Sequence, residues 1–113
     1  MKPKTEKLIL SLGAMPNLRG FRYLGDAIDI YAGHKGPIAI TRELYPAVAE
    51  LHNTTDRRVE RCIRNVIHNI GDAVPMHEVV DILGTPPRAL SLSGTYTNAE
   101  FIALCALRIG GPD

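Results

Sequence analysis

The fold of this chain is decided by residues 40–70, which read ITRELYPAVAELHNTTDRRVERCIRNVIHNI. Both halves of this stretch have the periodicity of helices, and the polar turn NTT separates them. The second half is rich in arginine, because four of the chain's 13 Lys and Arg residues fall within eight positions: Arg57, Arg58, Arg61 and Arg64. Arg57, Arg61 and Arg64 follow i, i+4, i+7 spacing, which places them on one face of a helix.

The opposite face of the same helix is apolar. Its apolar residues recur at helical spacing: Val59, Cys62, Ile63, Val66, Ile67 and Ile70. One face of this helix is therefore predicted to pack against a core, and the other is predicted to meet negative charge.

The composition is ordinary for a globular domain. A chain of 113 residues is long enough to bury a single core. Its formal net charge of +1 argues against a protein that coats nucleic acid indiscriminately. Outside residues 57–64, basic and acidic residues are interspersed. The basic charge is therefore focused on one patch, which favours a compact binding site.

The compartment is inferred from the cysteines and the N-terminus. Cys62 and Cys105 both fall on predicted apolar helix faces, so we expect buried, reduced thiols and a cytoplasmic protein. The N-terminal segment MKPKTEKLILSLG lacks a small-residue cleavage site, so we do not expect a signal peptide. No apolar run reaches membrane-spanning length.

Helical periodicity and breaker residues predict six helices and no sheet, so the fold class is all-α. The predicted helices cover residues 5–12, 18–31, 42–52, 56–70, 75–83 and 98–109. The sixth helix opens with a capping box, in which Thr97 precedes Glu100 by three residues. All six helices are assigned to one domain, residues 1–113.

Glycines and capping residues set several of the predicted helix ends. Gly13 and Gly71 are expected to end the first and fourth helices. Thr41 is a candidate N-cap for the third helix. Because proline is tolerated only in the first turn, Pro46 leaves open that this helix begins at Tyr45 instead.

The spacing around the NTT turn is that of a helix-turn-helix. The motif needs a small residue where its two helices cross, and Ala49 lies at that position. Asn53 tolerates the left-handed backbone conformation of a tight turn. Val59 and Cys62 then supply apolar contacts from the second helix. His52 fits poorly, because an apolar residue usually fills its position. The pattern predicts DNA binding.

If the fourth helix enters the major groove, its N-terminal residues meet base edges. We expect Arg58, Arg61 and Arg64 each to donate a bidentate pair of hydrogen bonds to guanine O6 and N7. Glu60 is suited to accept from a cytosine amine, and Asn65 to pair with adenine. Each bidentate contact would discriminate by about 1–3 kcal/mol.

The start of this helix admits two interpretations. Thr54, Thr55 and Arg57 are naturally phosphate contacts, which position a helix without reading sequence. Alternatively, the charged face is only solvated, and Asp56 and Glu60 pair with arginines one turn away. The spacing of the turn favours the DNA-binding interpretation.

Four segments together resemble a known family: GFRYLGDAI, ITRELYP, NTTDRRVERCIRNVI and YTNAEFIAL. They are similar to the C-terminal DNA-binding domain of the stage-zero sporulation response regulator of endospore-forming bacteria, from about Leu8 to Ile109. The resemblance implies a six-helix bundle that binds short asymmetric DNA boxes, often in tandem, and contacts RNA polymerase sigma subunits. It also implies that Arg58, Glu60 and Arg61, with Arg64, form the DNA-contacting face.

The chain departs from the family pattern at several positions. Asn65 stands where histidine is common, and Asp56 and Arg57 stand where small residues are common. Asp56 is expected to weaken binding and Arg57 to offset it. The loop of residues 91–98 lacks the usual lysine, which predicts a missing phosphate contact and a flatter salt dependence. No phosphoacceptor domain fits in this length, so the chain is excised or stand-alone; its starting Met1 favours stand-alone.

The sequence contains few other candidate functional residues, and we do not expect an enzyme, a cofactor or a metal. The four histidines lack metal-ligand spacing: His34, His52, His68 and His77. There is no phosphate loop or nucleophile elbow. Asp26 and Asp29 are interpreted as surface charge. The alternative to a DNA reader is a protein-interaction module on the same fold, whose partner is a sigma subunit or a separate receiver protein.

Overall fold

The computed structural model describes residues 1–88 and 95–110, which form six α-helices and no strand. The helices are α1 (Pro3–Ser11), α2 (Arg19–Gly33), α3 (Tyr45–Leu51), α4 (Asp56–Ala73), α5 (Met76–Leu83) and α6 (Asn98–Ile109), and a π-helical turn (Ile40–Leu44) leads into α3. The predicted all-α class is confirmed. None of the helices in the described ranges is both long and apolar enough to cross a membrane.

The core is built around α2, which packs against α4 on one side and α6 on the other. Leu24 and Ile28 of α2, Ile63 of α4 and Phe101 of α6 are fully buried in one core cluster. Burial of one such side chain stabilises a fold by about 1.5–3 kcal/mol. The amphipathic pattern of α4 is therefore explained, since its predicted apolar stripe is the face that meets α2 and α3.

Gly20 lets α2 and α4 approach closely. A Cβ atom at this position would lie closer than 3.0 Å to the carbonyl oxygen of Cys62. A glycine inside a helix costs about 1 kcal/mol relative to alanine, and here that cost is offset by direct contact between two helix backbones. The first turn of α2 is thereby held against the middle of α4.

The start of α3 differs from the predicted helix 42–52. Thr41 lies inside the π-helical turn, whose N-cap position is Ala39, so Thr41 does not cap the helix. The Ala39 N–H donates to the Glu43 carboxylate at 3.0 Å. Pro46 has no N–H for the preceding turn, and the α-helix begins at Tyr45. The alternative start at Tyr45 is therefore the correct one.

The end of α4 also differs, because Gly71 does not terminate the helix. The helix continues to Ala73, and the Val74 N–H closes it by donating to the Ile70 carbonyl at 2.9 Å. Val74 is extended, as expected for a residue before proline, so Pro75 rather than Gly71 determines the end. By contrast, Gly13 has a φ of 99° after α1, as its predicted role requires.

Candidate nucleic-acid interface

The turn between α3 and α4 has the geometry that the sequence predicts. Asn53 has a φ of 52°, and it is the one residue other than glycine with positive φ in the described ranges. The Thr54 N–H donates to the Ala49 carbonyl at 2.9 Å, which closes the turn directly after α3. Ala49 is only 4% exposed, and α3 packs against α4. The two helices are therefore distinct, and the small side chain predicted at their crossing is buried.

The start of α4 is fixed by Thr55. Its hydroxyl accepts a hydrogen bond from the Arg58 N–H at 3.2 Å, so it is the N-cap of the helix. Asp56 follows in the first turn, where a carboxylate interacts favourably with the positive end of the helix dipole. This cap defines where the helix that carries the arginines begins.

The structure places most of the eight predicted DNA-binding residues on the surface. Six are exposed and two are half-buried; the exposed ones are Thr55, Arg57, Arg58, Arg61, Arg64 and Asn65, and the half-buried ones are Thr54 and Glu60. The apolar residues on the other side of α4 are buried, so the helix presents its charged face away from the protein body.

Only part of the charge on this face is neutralised within the chain. Arg64 Nη1 lies 3.2 Å from Glu60 Oε1, an ion pair between consecutive turns of α4. Arg57, Arg58 and Arg61 form no ion pair with any residue in the described ranges. The intrahelical pairing that the sequence left open therefore occurs at Arg64 and not at these three.

These unpaired arginines surround a cleft of about 410 Å³. We call it the arginine cleft; it is lined by Arg19, Thr55, Arg57, Arg58, Arg61 and Cys62. A solvent-open concave site with four guanidinium groups suits an anionic ligand.

The family is shown by comparison with known proteins. The profile of the family described as "Sporulation initiation factor Spo0A C terminal" matches residues 5–109. The chain belongs to this family. Spo0A C-terminal domains are DNA-binding effector domains, a regulatory family rather than an enzymatic one. The resemblance drawn from the four sequence segments is thus confirmed.

Asn98 is a residue of this Spo0A-family domain that the sequence did not single out. Its side-chain amide donates to the Tyr45 hydroxyl at 3.0 Å and to the Glu60 carbonyl at 3.1 Å. Burial raises the pKa of the Tyr45 phenol, and the hydrogen bond from Asn98 opposes that shift. Asn98 therefore connects the starts of α6 and α3 to the charged helix. No local pattern reveals it, because its partners are 38 and 53 residues away in sequence.

His52 has a role that explains its poor fit to the motif. Its Nε2 atom lies 2.6 Å from Asp26 Oδ2 of α2, and its ring contacts Tyr23 edge-on at 4.9 Å between centroids. Asp26 also pairs with the Met1 amine at 3.1 Å, and Asp29 accepts from the Lys2 N–H at 2.7 Å. The interpretation of these carboxylates as plain surface charge was therefore wrong.

The two cysteines differ in burial. Cys105 is buried, which raises the pKa of its thiol to about 12, whereas Cys62 is only half-buried at the arginine cleft. Both are free thiols. Of the lysine-poor loop 91–98, residues 91–94 lie outside the described residues. The part after it begins α6 with the predicted capping box of Thr97 and Glu100.

Proposed function

We propose that this Spo0A-family domain is a sequence-specific, DNA-binding transcription regulator whose helix α4 reads the major groove. The observation that carries this is the set of exposed arginines on α4 without ion-pair partners in the described ranges, on a helix whose other face is packed in the core. An unpaired cationic face on a rigid helix after a helix-turn-helix turn is suited to a polyanion of regular shape.

The roles of the residues follow from their position along α4. Arg58 and Arg61 lie in its first two turns, where a helix in the major groove meets base edges, and each presents a bidentate donor for guanine. Asn65, one turn further, is exposed and suited to adenine. Thr54, Thr55 and Arg57 lie at the helix start and are proposed as phosphate contacts.

The ion pair of Arg64 and Glu60 is proposed to orient Arg64 for DNA binding. The ion pair with Glu60 would restrict the Arg64 guanidinium before binding and so lower the entropy that this side chain loses when it binds. The Glu60 carbonyl is itself held by Asn98, so the backbone beneath the pair is fixed from α6. We propose that Arg64 binds DNA as a pre-oriented side chain, with Glu60 available to a cytosine amine.

Arg61→Ala tests the proposal. A duplex is first selected from a random pool by the wild-type protein, and its affinity is compared with that of a mixed-sequence duplex of the same length. Loss of one bidentate contact should reduce affinity for the selected duplex by about 1–3 kcal/mol, roughly 5- to 150-fold, and should reduce the preference between the duplexes. Arg108→Ala, at an exposed arginine on α6, is the matched control and should leave both affinities unchanged.

The same measurement separates the two functional classes. If the wild-type protein binds both duplexes weakly and equally, and Arg61→Ala changes neither affinity, the chain does not read DNA and the interaction-module alternative is the better account. Selection of a defined duplex that loses its advantage in Arg61→Ala supports the DNA reader.

The remaining partners are proposals drawn from the family resemblance. They are a second copy of the chain on tandem or paired DNA boxes, and a sigma subunit of RNA polymerase, for a regulator working in the cytoplasm. Analytical ultracentrifugation with duplexes that carry one or two selected boxes tests the first, since a dimer on DNA requires the second box. Binding of a purified sigma subunit to the preformed complex tests the second.

A further inference from the structure

The arginine cleft receives one cation from outside the helix-turn-helix. Arg19 is the first residue of α2, yet it lines the cleft together with Arg57, Arg58 and Arg61 of α4. Arg19 is 38 residues before Arg57 in sequence, so no motif places the two together. The patch that faces an anion is therefore built from two helices.

Backbone packing fixes the base of Arg19 beside α4. The next residue, Gly20, allows the α2 backbone to contact the Cys62 carbonyl, and a Cβ there would clash with it. The position of Arg19 relative to α4 is consequently set by the core of the domain rather than by a flexible segment. Its side chain is exposed, and its backbone holds it beside the cleft.

The charge of Arg19 is not used within the described part of the chain. Neither Arg19 nor the three unpaired arginines of α4 forms an ion pair there. The N-cap of α2, Leu18, makes no side-chain capping bond, and the first turn contains no acidic residue. A cation at the positive end of a helix is locally unfavourable, and so is a cluster of four like charges. Binding of an external anion would offset both costs.

We propose that Arg19 binds a backbone phosphate of the same DNA duplex whose base edges α4 reads, so that α2 is part of the DNA interface. This rests on the proposed function. A duplex is the fitting ligand because Arg58 and Arg61, which line the same cleft, are the residues proposed above to read base edges. DNA placed on α4 therefore brings a phosphodiester to the cleft, where the guanidinium fork matches its oxygens.

The experiment compares Arg19→Gln with the wild-type protein on two duplexes, the one selected from a random pool and a mixed-sequence one, between about 50 and 200 mM salt. Loss of one phosphate contact should weaken binding to both duplexes by the same factor, roughly five- to tenfold at about 0.1 M salt. The slope of log affinity against log salt should become shallower by about 0.9. Arg19→Lys should retain the slope, and Arg108→Gln should change neither quantity.

A second measurement works on the DNA rather than on the protein. Single phosphates of the selected duplex are replaced in turn by neutral methylphosphonates. One position should weaken binding of the wild-type protein while leaving binding of Arg19→Gln unchanged, because the contact is already absent in that variant. Arg19→Gln should also melt within the wild-type range, since the side chain is exposed.

Three results would overturn the inference. If Arg19→Gln keeps wild-type affinity and salt slope while Arg61→Ala loses the sequence preference, α4 reads DNA without α2. If Arg19→Gln lowers binding to the selected duplex alone, Arg19 contacts a base and not a phosphate. If the wild-type protein binds neither duplex, the proposed function fails and the inference fails with it.

Discussion

Two charged regions of this domain treat their charges in opposite ways. At the junction of α1, α2 and the turn, Asp26 is paired both with the Met1 amine and with His52. At the arginine cleft, four guanidinium groups have no acidic partner in the described ranges. The first arrangement satisfies its charges inside the chain and therefore contributes to the fold. The second leaves them for a ligand.

The comparison separates residues that hold the molecule together from residues that act on something outside it. Removing one partner of a paired, partly buried charge lowers the free energy of unfolding, because the other partner is left unsatisfied. Exposed unpaired charges contribute little to stability, and their removal usually changes it by less than about 0.5 kcal/mol. Mutations in the two regions should therefore give opposite readouts.

The largest effect is expected at the joint between the regions. Gly20→Ala places a Cβ against the Cys62 carbonyl, so α2 and α4 must move apart. We expect a loss of about 3 kcal/mol in the free energy of unfolding, measured by urea denaturation, and weaker DNA binding because Arg19 is displaced from the cleft. Gly33→Ala is the matched control on the same helix, because a Cβ there would meet nothing within 4 Å. Equal stability of the two variants would mean that the helices do not touch at Gly20.

A smaller effect is expected in the paired region. Asp26→Asn removes the carboxylate that the Met1 amine and His52 share. The expected loss is about 1–2 kcal/mol of unfolding free energy, with DNA affinity unchanged at temperatures where the variant is folded. Arg61→Ala should show the reverse, with wild-type stability and reduced affinity. If Asp26→Asn remains fully folded but binds DNA less well, the paired charges act in DNA binding as well as in stability.

The smallest effect is expected at the start of α6, where a third charge is satisfied within the chain. The Thr97 N–H donates to the Glu100 carboxylate, as does the Arg88 N–H, and these bonds lower the pKa of Glu100. Because the pKa in the folded state lies below the unfolded value of about 4.3, the carboxylate stabilises the fold above that pH. The contribution is lost as pH falls through the folded pKa.

Urea denaturation of wild type and Glu100→Gln at several pH values measures this contribution. The stability difference between the two proteins should be present at neutral pH and should shrink below about pH 4. A difference that stays constant across this range would show that the carboxylate charge of Glu100 does not contribute to the cap.

Local patterns in the sequence determined most of the helices and the face that each one buries. Helical periodicity identified the apolar stripe of α4. Asn53 indicated the turn, and Thr55 and Thr97 indicated two helix caps, because these signals act over a few residues. They failed at two helix ends. Thr41 does not cap α3, which begins at Tyr45, the alternative that Pro46 left open, and Pro75 rather than Gly71 determines the end of α4.

Which charges are paired and which remain free depends on how the helices pack against one another. Asp26 meets His52 across 26 residues of sequence, and Asn98 reaches Glu60 across 38. The packing of α2 on α4 at Gly20 brings Arg19 to the arginine cleft. Periodicity indicates which side of a helix is buried, but it carries no information about which other helix packs there. For that reason the arginines of α4 were found from the sequence, and the cation that α2 adds to them was not.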